Sequence, residues 1–472
     1  MKEEIWYWII DSINQKPSMN PTLASYLLFE IGVIAWNLMA LCSTDMSFLD
    51  SSSFFSEDGG SSLKSSDRCE WRESEWTALF YQSILLWKEV EELQDPPSPD
   101  PSFSVSFSSP PFSDDEVESI LKNVRSYLVR KRQSRNKDPL SFLYAFPFEE
   151  GRWTTSSRKW MPLQWTKTAP ARIQTYLTPF FFKNDNWFSE KHWRAIDDIG
   201  KQFFPEYEND MHRDIEFVYN TSRSLTDEQK VWAEFWSGSE AGRCTPPTMW
   251  FSIAVLIASR HLCSDLRNAV LFLCTTTFVL YHAAIGAWYL KYKYQQARPI
   301  QTVRHQYRNQ HESQWMPYKP PDFVTPPFPD FVSGHSTFSS ACATLFTHWL
   351  GSSSTDCISR TVVPVSVFRR FSSLCDNNND NEYGGCTFSQ WFICPSHTSK
   401  IQEGLLPQCM EWTSWFQMAN QAGLSRIYGG IHYPSSHLGG MALGEWVTHS
   451  LLHDNILVPL PVPIQTTIKK AC

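Results

Sequence analysis

The longest uncharged apolar segment of the chain, residues 269–290, limits the folds that the sequence can adopt. A segment of this length can cross a bilayer as a single helix. It can equally form the central helix of a helical bundle. We favour the bundle core, because the segment contains three consecutive threonines, His282 and Gly286, and continues directly into the charged residue Lys291.

Helical spacing of apolar residues recurs along most of the remaining chain, and few runs alternate with a period of two residues. Helices are predicted over residues 1–42 and 73–93, from residue 114, and at intervals from residue 187 to residue 453. Thr226 marks one helix start, since a threonine side chain can accept a hydrogen bond from a free N–H group of the first turn. We therefore predict an all-α fold.

The length of 472 residues exceeds one ordinary domain and is sufficient for two hydrophobic cores. We place an N-terminal helical region at residues 1–224 and a C-terminal helical bundle at residues 225–472. Three segments rich in serine, proline or asparagine interrupt the helical pattern and are expected to be inserts. They cover about residues 43–68, 94–114 and 351–408.

A Ser-Gly-His triplet, Ser333 to His335, stands where a proline-rich approach meets a helix predicted from residue 336. Free N–H groups at a helix start and the positive end of the helix dipole both attract anions. Gly334 allows a bulky oxyanion to approach the backbone, Ser333 adds a hydroxyl, and His335 adds an imidazole suited to proton transfer. The triplet is a candidate oxyanion site, although a simple helix cap can have the same residues.

Two cations precede this triplet in the sequence. Lys291 and Arg298 are seven residues apart, two turns of a helix that we expect Pro299 to end, and would project from one helix face. An arginine can bind two oxygens of one anion, whereas a lysine acts as a point charge.

A third cation and a second histidine follow the triplet. Gly429 and Gly430 separate Arg426 from His432, and we expect them to end the helix that carries Arg426 and turn His432 back toward it. The chain thus offers three cations, a Ser-Gly backbone segment and two histidines. This set suits a tetrahedral oxyanion such as phosphate or vanadate.

These motifs carry a family resemblance. A lysine separated by six residues from an Arg-Pro pair, then Ser-Gly-His, then a Ser-Arg pair separated by five residues from a histidine, resemble a signature shared by vanadium-dependent haloperoxidases and type 2 phosphatidic acid phosphatases. Segments such as residues 283–288 and 327–335 are similar to the haloperoxidases. The good match covers about residues 225–345 and 415–450. The resemblance implies a fold of two helical bundles in one chain.

The resemblance also implies a cofactor and roles for single residues. Vanadate would be held through its equatorial oxygens by Lys291, Arg298, Ser333, Gly334 and Arg426. His432 would be the axial ligand of vanadium, and His335 would be the acid–base residue. The implied enzyme is a peroxidase that oxidises a halide, chloride or bromide, with hydrogen peroxide to hypohalous acid, which then reacts with a small organic acceptor.

Two aromatic residues and two departures from the family pattern bear on activity. Trp288 and Phe328 match positions that line the halide site in chloride-oxidising relatives, whereas bromide-preferring relatives carry a histidine at the second position. Ser436 stands where the family has an acid that orients the axial histidine. Residues 237–239, Ser-Gly-Ser, stand where relatives often place an aspartate, and Glu240 is the nearest carboxylate in sequence.

Two alternative functions remain open. An acid phosphatase of the same superfamily would use His432 as a nucleophile and form a phosphohistidine, although the serine at position 436 disfavours it, because a nucleophile must be well oriented. A catalytically weak homologue would bind the oxyanion without turnover. The primary oxyanion residues are all present, which favours an enzyme.

Composition limits the partners. The net charge of −8 argues against a nucleic-acid partner. The N-terminus lacks the features of a signal peptide, so we expect a soluble protein without a membrane span, in a compartment that the sequence leaves unknown. Five of the 12 cysteines lie from Cys357 to Cys409 and fit either disulfides or free thiols, without the close pairs of a zinc site. A homo-oligomer remains open.

Overall fold

The structure is a computed structural model that describes most of the helical parts of the chain. The described residues are 3–16, 19–41, 73–91, 114–137, 141–142, 164–165, 172–173, 176–178, 180–184, 186–205, 208–237, 245–262, 265–307, 315–318, 325–326, 328–350, 362–363, 386–387, 412 and 414–454. The inserts predicted at residues 43–68 and 94–114, nearly all of the insert at 351–408, and the side chains of its five cysteines lie outside these ranges.

Thirteen α-helices contain most of the described residues. They are α1 (Glu3–Gln15), α2 (Pro21–Leu41), α3 (Glu73–Glu91), α4 (Asp114–Lys137), α5 (Glu190–Phe203), α6 (Glu208–Arg223), α7 (Asp227–Phe235), α8 (Pro246–His261), α9 (Leu266–Tyr294), α10 (Pro299–Gln306), α11 (Gly334–Leu350), α12 (Trp415–Tyr428) and α13 (Pro434–His453). Thr226 caps α7 as predicted, since its Oγ1 accepts a hydrogen bond from Gln229 N at 3.2 Å.

The β-structure in the described ranges is limited to two-residue strands. They are β1 (Ser141–Phe142), β2 (Gln164–Trp165), β3 (Arg172–Ile173), β4 (Tyr176–Leu177), β5 (Val362–Val363) and β6 (Cys386–Thr387). They form antiparallel pairs, β1 with β4, β2 with β3 and β5 with β6, and Ser141 lies opposite Leu177 in the first pair. Strands of two residues are too short to build a core. The fold is therefore all-α, as predicted.

The helices group into two compact units. The first unit takes in Met1–Pro139 and Phe251–Tyr281, and the second takes in Leu140–Trp250 and His282–Leu451. The domain break predicted at residues 224/225 is not one of the boundaries between these units. Residues 251–281 join the N-terminal helices because their rings pack there: Phe251 lies 5.7 Å from Trp6, measured between ring centroids.

The first unit is built around the N-terminal part of α9. Phe29 of α2 stacks on Tyr281 of α9 with 4.2 Å between ring centroids. A Cβ atom at Gly32 would lie 2.0 Å from Thr277 Oγ1, so this position requires glycine for α2 and α9 to approach so closely.

Two described helices are long and apolar enough to cross a membrane. One is α9, which contains the apolar segment at residues 269–290 and whose most apolar window is 100% buried. The other is Pro21–Ala40 in α2, whose most apolar window is 89% buried. The apolar sequence of α2 is interrupted by one charged residue, Glu30, and this residue is buried as well. Burial on all sides is typical of a core helix in a bundle.

A hydrophobic cluster in the second unit holds the segments that carry the predicted site. Its buried members are Met211, Ile215, Val218, Tyr219, Ile300, Val303, Trp315, Ile427 and Tyr433. Ile300, Ile427 and Tyr433 follow a predicted site cation or histidine by one or two positions. Because these side chains are packed from several helices, the backbone of each neighbouring site residue is fixed.

Candidate oxyanion site

Lys291 and Arg298 converge, but they do not lie on one helix as predicted. Helix α9 ends at Tyr294, and Gln295 adopts a positive φ of 49° that turns the chain. Arg298 is the N-cap of the next helix, in which Pro299 occupies the first turn. Proline is favoured there because its missing N–H group has no partner to lose. The tight turn, not helical periodicity, brings the two cations together.

Lys291 is fully buried and is bound to the segment that precedes the Ser-Gly-His triplet. Its Nζ donates to the carbonyls of Pro329 at 3.0 Å, of Asp330 at 2.9 Å, and of Val332. Burial, and then the charge of Arg298, hold the pKa of Lys291 well below its ordinary value. Since an ammonium has three protons, the three carbonyls account for its donors. Lys291 therefore acts on a nearby anion through its charge.

Arg298 is also fully buried, and one of its donors is unpaired. Nε donates to Phe328 O at 2.9 Å, and Nη1 donates to Ile431 O at 2.8 Å. Within the described residues, Nη2 has no hydrogen-bond partner. Burial lowers the pKa of Arg298 to about 10 even though Asp330 opposes the change. A buried donor without a partner costs about 1–3 kcal/mol, and an oxyanion would remove that cost.

The Ser-Gly-His triplet begins helix α11 two residues earlier than predicted, at Gly334. Ser333 caps this helix, because its Oγ accepts from Ser336 N at 3.4 Å. The N–H group of Ser333 donates to Ser436 O at 2.9 Å and is not available to an anion. Gly334, as the first helical residue, has an amide with no intrahelical acceptor. Backbone N–H groups of both residues were expected to face an anion. The N–H group of Gly334, at the helix start, stays available, whereas that of Ser333 does not.

Arg426 is held near the C-terminal end of α7. Its Nη2 donates to Ala233 O at 2.6 Å, and its Nε donates to Ser425 Oγ at 2.9 Å. Burial lowers the pKa of Arg426 to about 9. A nearby anion would be stabilised by this buried guanidinium and would in turn raise its pKa.

The glycine pair after Arg426 ends helix α12 as predicted. Gly430 has φ of +72°, its N–H donates to Ile427 O at 2.9 Å, and Ile431 N donates to Arg426 O at 3.1 Å. These two bonds form a Schellman motif, which reverses the chain at a helix end. A Cβ atom at Gly430 would lie 3.0 Å from Pro317 Cα, so both the φ angle and the space favour glycine. The turn directs the following histidine back into the bundle.

His432 is 3% exposed and lies among the cations. Its Nδ1 is 3.0 Å from Asp330 Oδ1, and its Nε2 is 3.1 Å from Arg298 Nη1. Burial, and then the charges of Arg298, Lys291 and Arg426, hold its pKa well below the ordinary value. The imidazole is therefore neutral near pH 7. The carboxylate beside Nδ1 favours the proton on that nitrogen and leaves a lone pair on Nε2.

His335 has a different setting. It is partly exposed, and its Nε2 lies 2.9 Å from the carbonyl oxygen of Trp236, the C-cap of α7. A carbonyl can only accept, so the proton of a neutral ring is on Nε2 and Nδ1 is the nitrogen that can take up a proton. Glu240, the nearest carboxylate in sequence, lies outside the described residues.

One family model matches the part of the chain that contains the candidate site. Residues 271–455 match a family model described as the VCPO second helical-bundle domain. This part of the chain, which carries the candidate site, is therefore similar to that domain. Comparison with curated proteins finds no match.

Solved structures of vanadium-dependent haloperoxidases resemble the whole chain in fold. A bacterial vanadium-dependent iodoperoxidase has 18% identity and a TM-score of 0.52, with 95% of this chain and 94% of that chain covered. An apo-type bacterial vanadium-dependent chloroperoxidase has 14% identity and a TM-score of 0.59, with 95% and 97% covered. Its holo-type counterpart has 14% identity and a TM-score of 0.57, with 95% and 96% covered. At these identities the likeness shows the fold.

The haloperoxidase cofactor, vanadate, is an oxyanion, and the donor set fits it. Arg298 Nη2 is an unpaired buried donor, and Lys291 and Arg426 add buried positive charge against the single carboxylate of Asp330. His432 adds a lone pair for vanadium. No group of three or more His, Cys, Asp or Glu side chains in the described ranges is arranged to hold a metal cation. An oxyanion requires cations and amides instead.

The two aromatic residues that match the halide site of relatives lie together beside the cations. The ring centroids of Trp288 and Phe328 are 5.0 Å apart, and both rings are buried. Lys291 Nζ is 5.1 Å from the Phe328 centroid, and Arg298 Cζ is 5.0 Å from it. An apolar wall next to positive charge is suited to a poorly hydrated anion. The assignment of a halide to this wall stays a prediction.

The residue that sequence reasoning missed is Asp330. Ser436, at the position of the usual acid in the haloperoxidase family, donates its hydroxyl to Asp330 Oδ2. The carboxylate is fully buried, and burial raises its pKa to about 6 although Arg298, Ser436 and Lys291 oppose the change. The signal was present in the sequence, since an acid stands five residues before His335. Only the fold shows that this acid lies beside His432.

Proposed function

We propose that this protein is a vanadate-dependent haloperoxidase that oxidises chloride or bromide with hydrogen peroxide to hypohalous acid. The proposal is carried by one observation. The guanidinium of Arg298 has an unpaired buried Nη2, and its Nη1 lies 3.1 Å from Nε2 of the neutral His432. A donor for an oxyanion oxygen and a lone pair for its central atom thus stand side by side.

Each residue has a separate part in binding the anion. Arg298 and Arg426 bind oxygens through charged N–H groups, and the amide of Gly334 adds a neutral donor at the positive end of α11. Ser333 caps the start of that helix. Because its N–H group is occupied, its hydroxyl is the polar group that it offers to an anion. Lys291 contributes charge while it holds residues 329–332 in place. His432 donates its Nε2 lone pair to the central atom.

Burial makes these charges effective. In a site without water, the attraction between a cation and an anion is several-fold stronger than at the surface. The same burial makes the empty arrangement costly, as the lowered pKa values of Arg298 and Arg426 indicate. A bound oxyanion would offset that cost.

Proton transfer is assigned to His335. When bound, vanadate supplies the Lewis acidity that activates peroxide toward a halide. His335 Nδ1 takes a proton from incoming peroxide and returns it to the departing oxygen, while the Trp236 carbonyl holds Nε2. Because His432 is buried and surrounded by cations, it is unsuited to carry a proton, and this supports the division of roles between the two histidines.

The halide is assigned to the wall formed by Trp288 and Phe328. Two aromatic rings remove water from a small anion, and Lys291 and Arg298 attract it. Hypohalous acid then leaves and reacts with a small organic acceptor. The buried character of the wall favours chloride competence, as the resemblance implies.

The test is oxidation of chloride and bromide by purified protein freed of bound anions. We expect activity only after orthovanadate is added, saturation at one vanadate per chain, and competition by phosphate. An activity that neither vanadate nor phosphate changes would contradict the proposal. Vanadate binding without halide oxidation would leave the weak homologue as the function.

An acid phosphatase is the second candidate, and one observation favours it. The absence of an acid at position 436 argued against an oriented histidine nucleophile, yet Asp330 Oδ1 stands 3.0 Å from His432 Nδ1. Hydrolysis of an aryl phosphate by the vanadate-free protein, with phosphate trapped on His432 and no trapping in His432→Ala, would support this function. No hydrolysis and no trapped phosphate would exclude it.

A further inference from the structure

The carboxylate of Asp330 is surrounded by groups from three parts of the chain. Oδ1 lies 3.0 Å from His432 Nδ1 and 3.5 Å from Arg298 Nη1. Oδ2 accepts from Ser436 Oγ, and the backbone N–H of Tyr433 also donates to this carboxylate. The side chain is fully buried. Asp330 is thus bound to two residues that closely follow His432 in the sequence.

We propose that Asp330 is the positioning residue for His432 and that Ser436 has become the anchor of Asp330. The inference rests on the proposed function, since it assigns the orientation of the vanadate ligand. In the family pattern, an acid four residues after the histidine has this role. Here the carboxylate comes from the segment before Ser-Gly-His, and a hydroxyl remains at the original position.

The distances favour Asp330 as a partner of His432 over Asp330 as a counter-ion of Arg298 alone. The guanidinium is the more distant neighbour, at 3.5 Å, and Nδ1 of His432 is nearer, at 3.0 Å. In the described ranges Oδ1 has no hydrogen bond of good geometry, and the nearest donor is Nδ1. A proton on Nδ1 would be directed to this oxygen and would leave the lone pair on Nε2.

Ser436 cannot itself orient the ring. Its single hydroxyl proton is directed to Asp330 Oδ2, and its Oγ lies 3.2 Å from Gln296 Oε1. The carbonyl of Ser436 accepts from Ser333 N and links this turn to the start of α11. Gln296 fixes the backbone of Asp330, since the Gln296 carbonyl accepts from Asp330 N at 2.9 Å. The network holds Asp330 and leaves Oδ1 for His432.

The first test measures the tautomer of His432 in the vanadate-free protein. Nitrogen NMR of labelled histidine, assigned with His432→Gln, should show the proton on Nδ1 in the wild type. In Asp330→Asn this preference should be lost. An unchanged Nδ1-protonated ring in Asp330→Asn would overturn the proposal. This readout is independent of vanadate, so it separates a failure of this inference from a failure of the proposed function.

The second test moves the carboxylate. Asp330→Asn should weaken orthovanadate binding by about 10- to 100-fold, the usual cost of removing a partner of a metal-binding histidine. The double variant Asp330→Asn with Ser436→Asp returns an acid to the family position and should recover most of the affinity. Recovery supports a positioning role. Full wild-type affinity in Asp330→Asn, or a folded double variant as weak as the single one, would contradict it.

A matched control lies in the same region. Asp214 is another largely buried acid whose pKa burial raises to about 6, but it accepts from Ser435 Oγ and has no contact with His432 among the described groups. Asp214→Asn should leave the tautomer and the vanadate affinity unchanged. If Asp330→Asn does not fold, Ser436→Ala keeps the carboxylate, removes its anchor, and should shift both readouts in the same direction by less. No shift in folded Ser436→Ala would contradict the assigned anchor.

Discussion

Arg298 Nη1 lies 3.1 Å from His432 Nε2, so one guanidinium faces the ring nitrogen that we propose as the vanadium ligand. The same side chain is fixed by the carbonyls of Phe328 and Ile431. Arg298 therefore links the loop before Ser-Gly-His, the turn before His432 and the candidate ligand nitrogen. A substitution of Arg298 should therefore weaken oxyanion binding.

Arg298→Ala should weaken orthovanadate binding by about 10- to 100-fold, because charged hydrogen bonds contribute about 1.5–3 kcal/mol. Arg298→Lys should weaken it less, since a charge remains but the planar fork is lost. Equilibrium titration of the apo-protein measures both. Arg304→Lys is the control, because this arginine of the same helix donates to Trp315 O, away from His432. Equal affinity in Arg298→Ala and wild type would exclude Arg298 from the site.

Alanine variants of the two histidines should differ in vanadate affinity and in halide oxidation. His432→Ala should lose most vanadate affinity, since the cations do not replace a coordinate bond. His335→Ala should keep much of that affinity and lose halide oxidation by about two to four orders of magnitude. Vanadate titration and steady-state rates on both variants measure this. The opposite pattern would reverse the assignment of ligand and proton carrier.

Phe328→His should shift preference from chloride toward bromide. The substitution replaces an apolar ring 5.1 Å from Lys291 Nζ with a polar one that can exchange protons. The measurement is the ratio of kcat/KM for the two halides. Phe217→His, at a half-exposed position of α6, is the control and should leave the ratio unchanged. An unchanged ratio in Phe328→His would remove this residue from the halide site.

His437 should make stability pH-dependent. Its Nδ1 lies 3.0 Å from Ser336 Oγ, its Nε2 lies 3.0 Å from Asn420 Oδ1, and burial lowers its pKa to about 4. The unfolded chain protonates this group near its ordinary pKa, so the free energy of unfolding should fall by roughly 3 kcal/mol as the pH drops from 6.5 to 4. Urea unfolding of His437→Gln should lack this component. The variant should differ from His449→Gln, an exposed position of the same helix; identical pH profiles would refute the prediction.

Helices α2 and α9 should be core helices without contact to lipid. The most apolar window of each helix is almost wholly buried. Fractionation of cells that express the full chain should therefore release the protein from membranes with high salt and alkali. Retention in the membrane pellet after both washes would contradict the expectation.

The fold class and several local features were predictable from the sequence because they depend on neighbours along the chain. The cap at Thr226 and the chain reversal at Gly430 follow from side-chain reach and from a φ angle that glycine adopts without strain. The order of the cations and histidines carried the resemblance to vanadium-dependent haloperoxidases, and the match of residues 271–455 to a domain of that family agrees with it. The motif residues do meet in one unit, although their roles in binding remain predictions.

The tertiary structure decided which of those groups face one another. Lys291 and Arg298 were expected on one helix, but the turn at Gln295 places them on two. The amide of Ser333 is occupied by Ser436, a residue about a hundred positions away in sequence. Local propensity carries no information about such distant pairs. Asp330 is the clearest case, because an acid before Ser-Gly-His becomes a partner of His432 only when packing removes both from water and brings them within 3.0 Å.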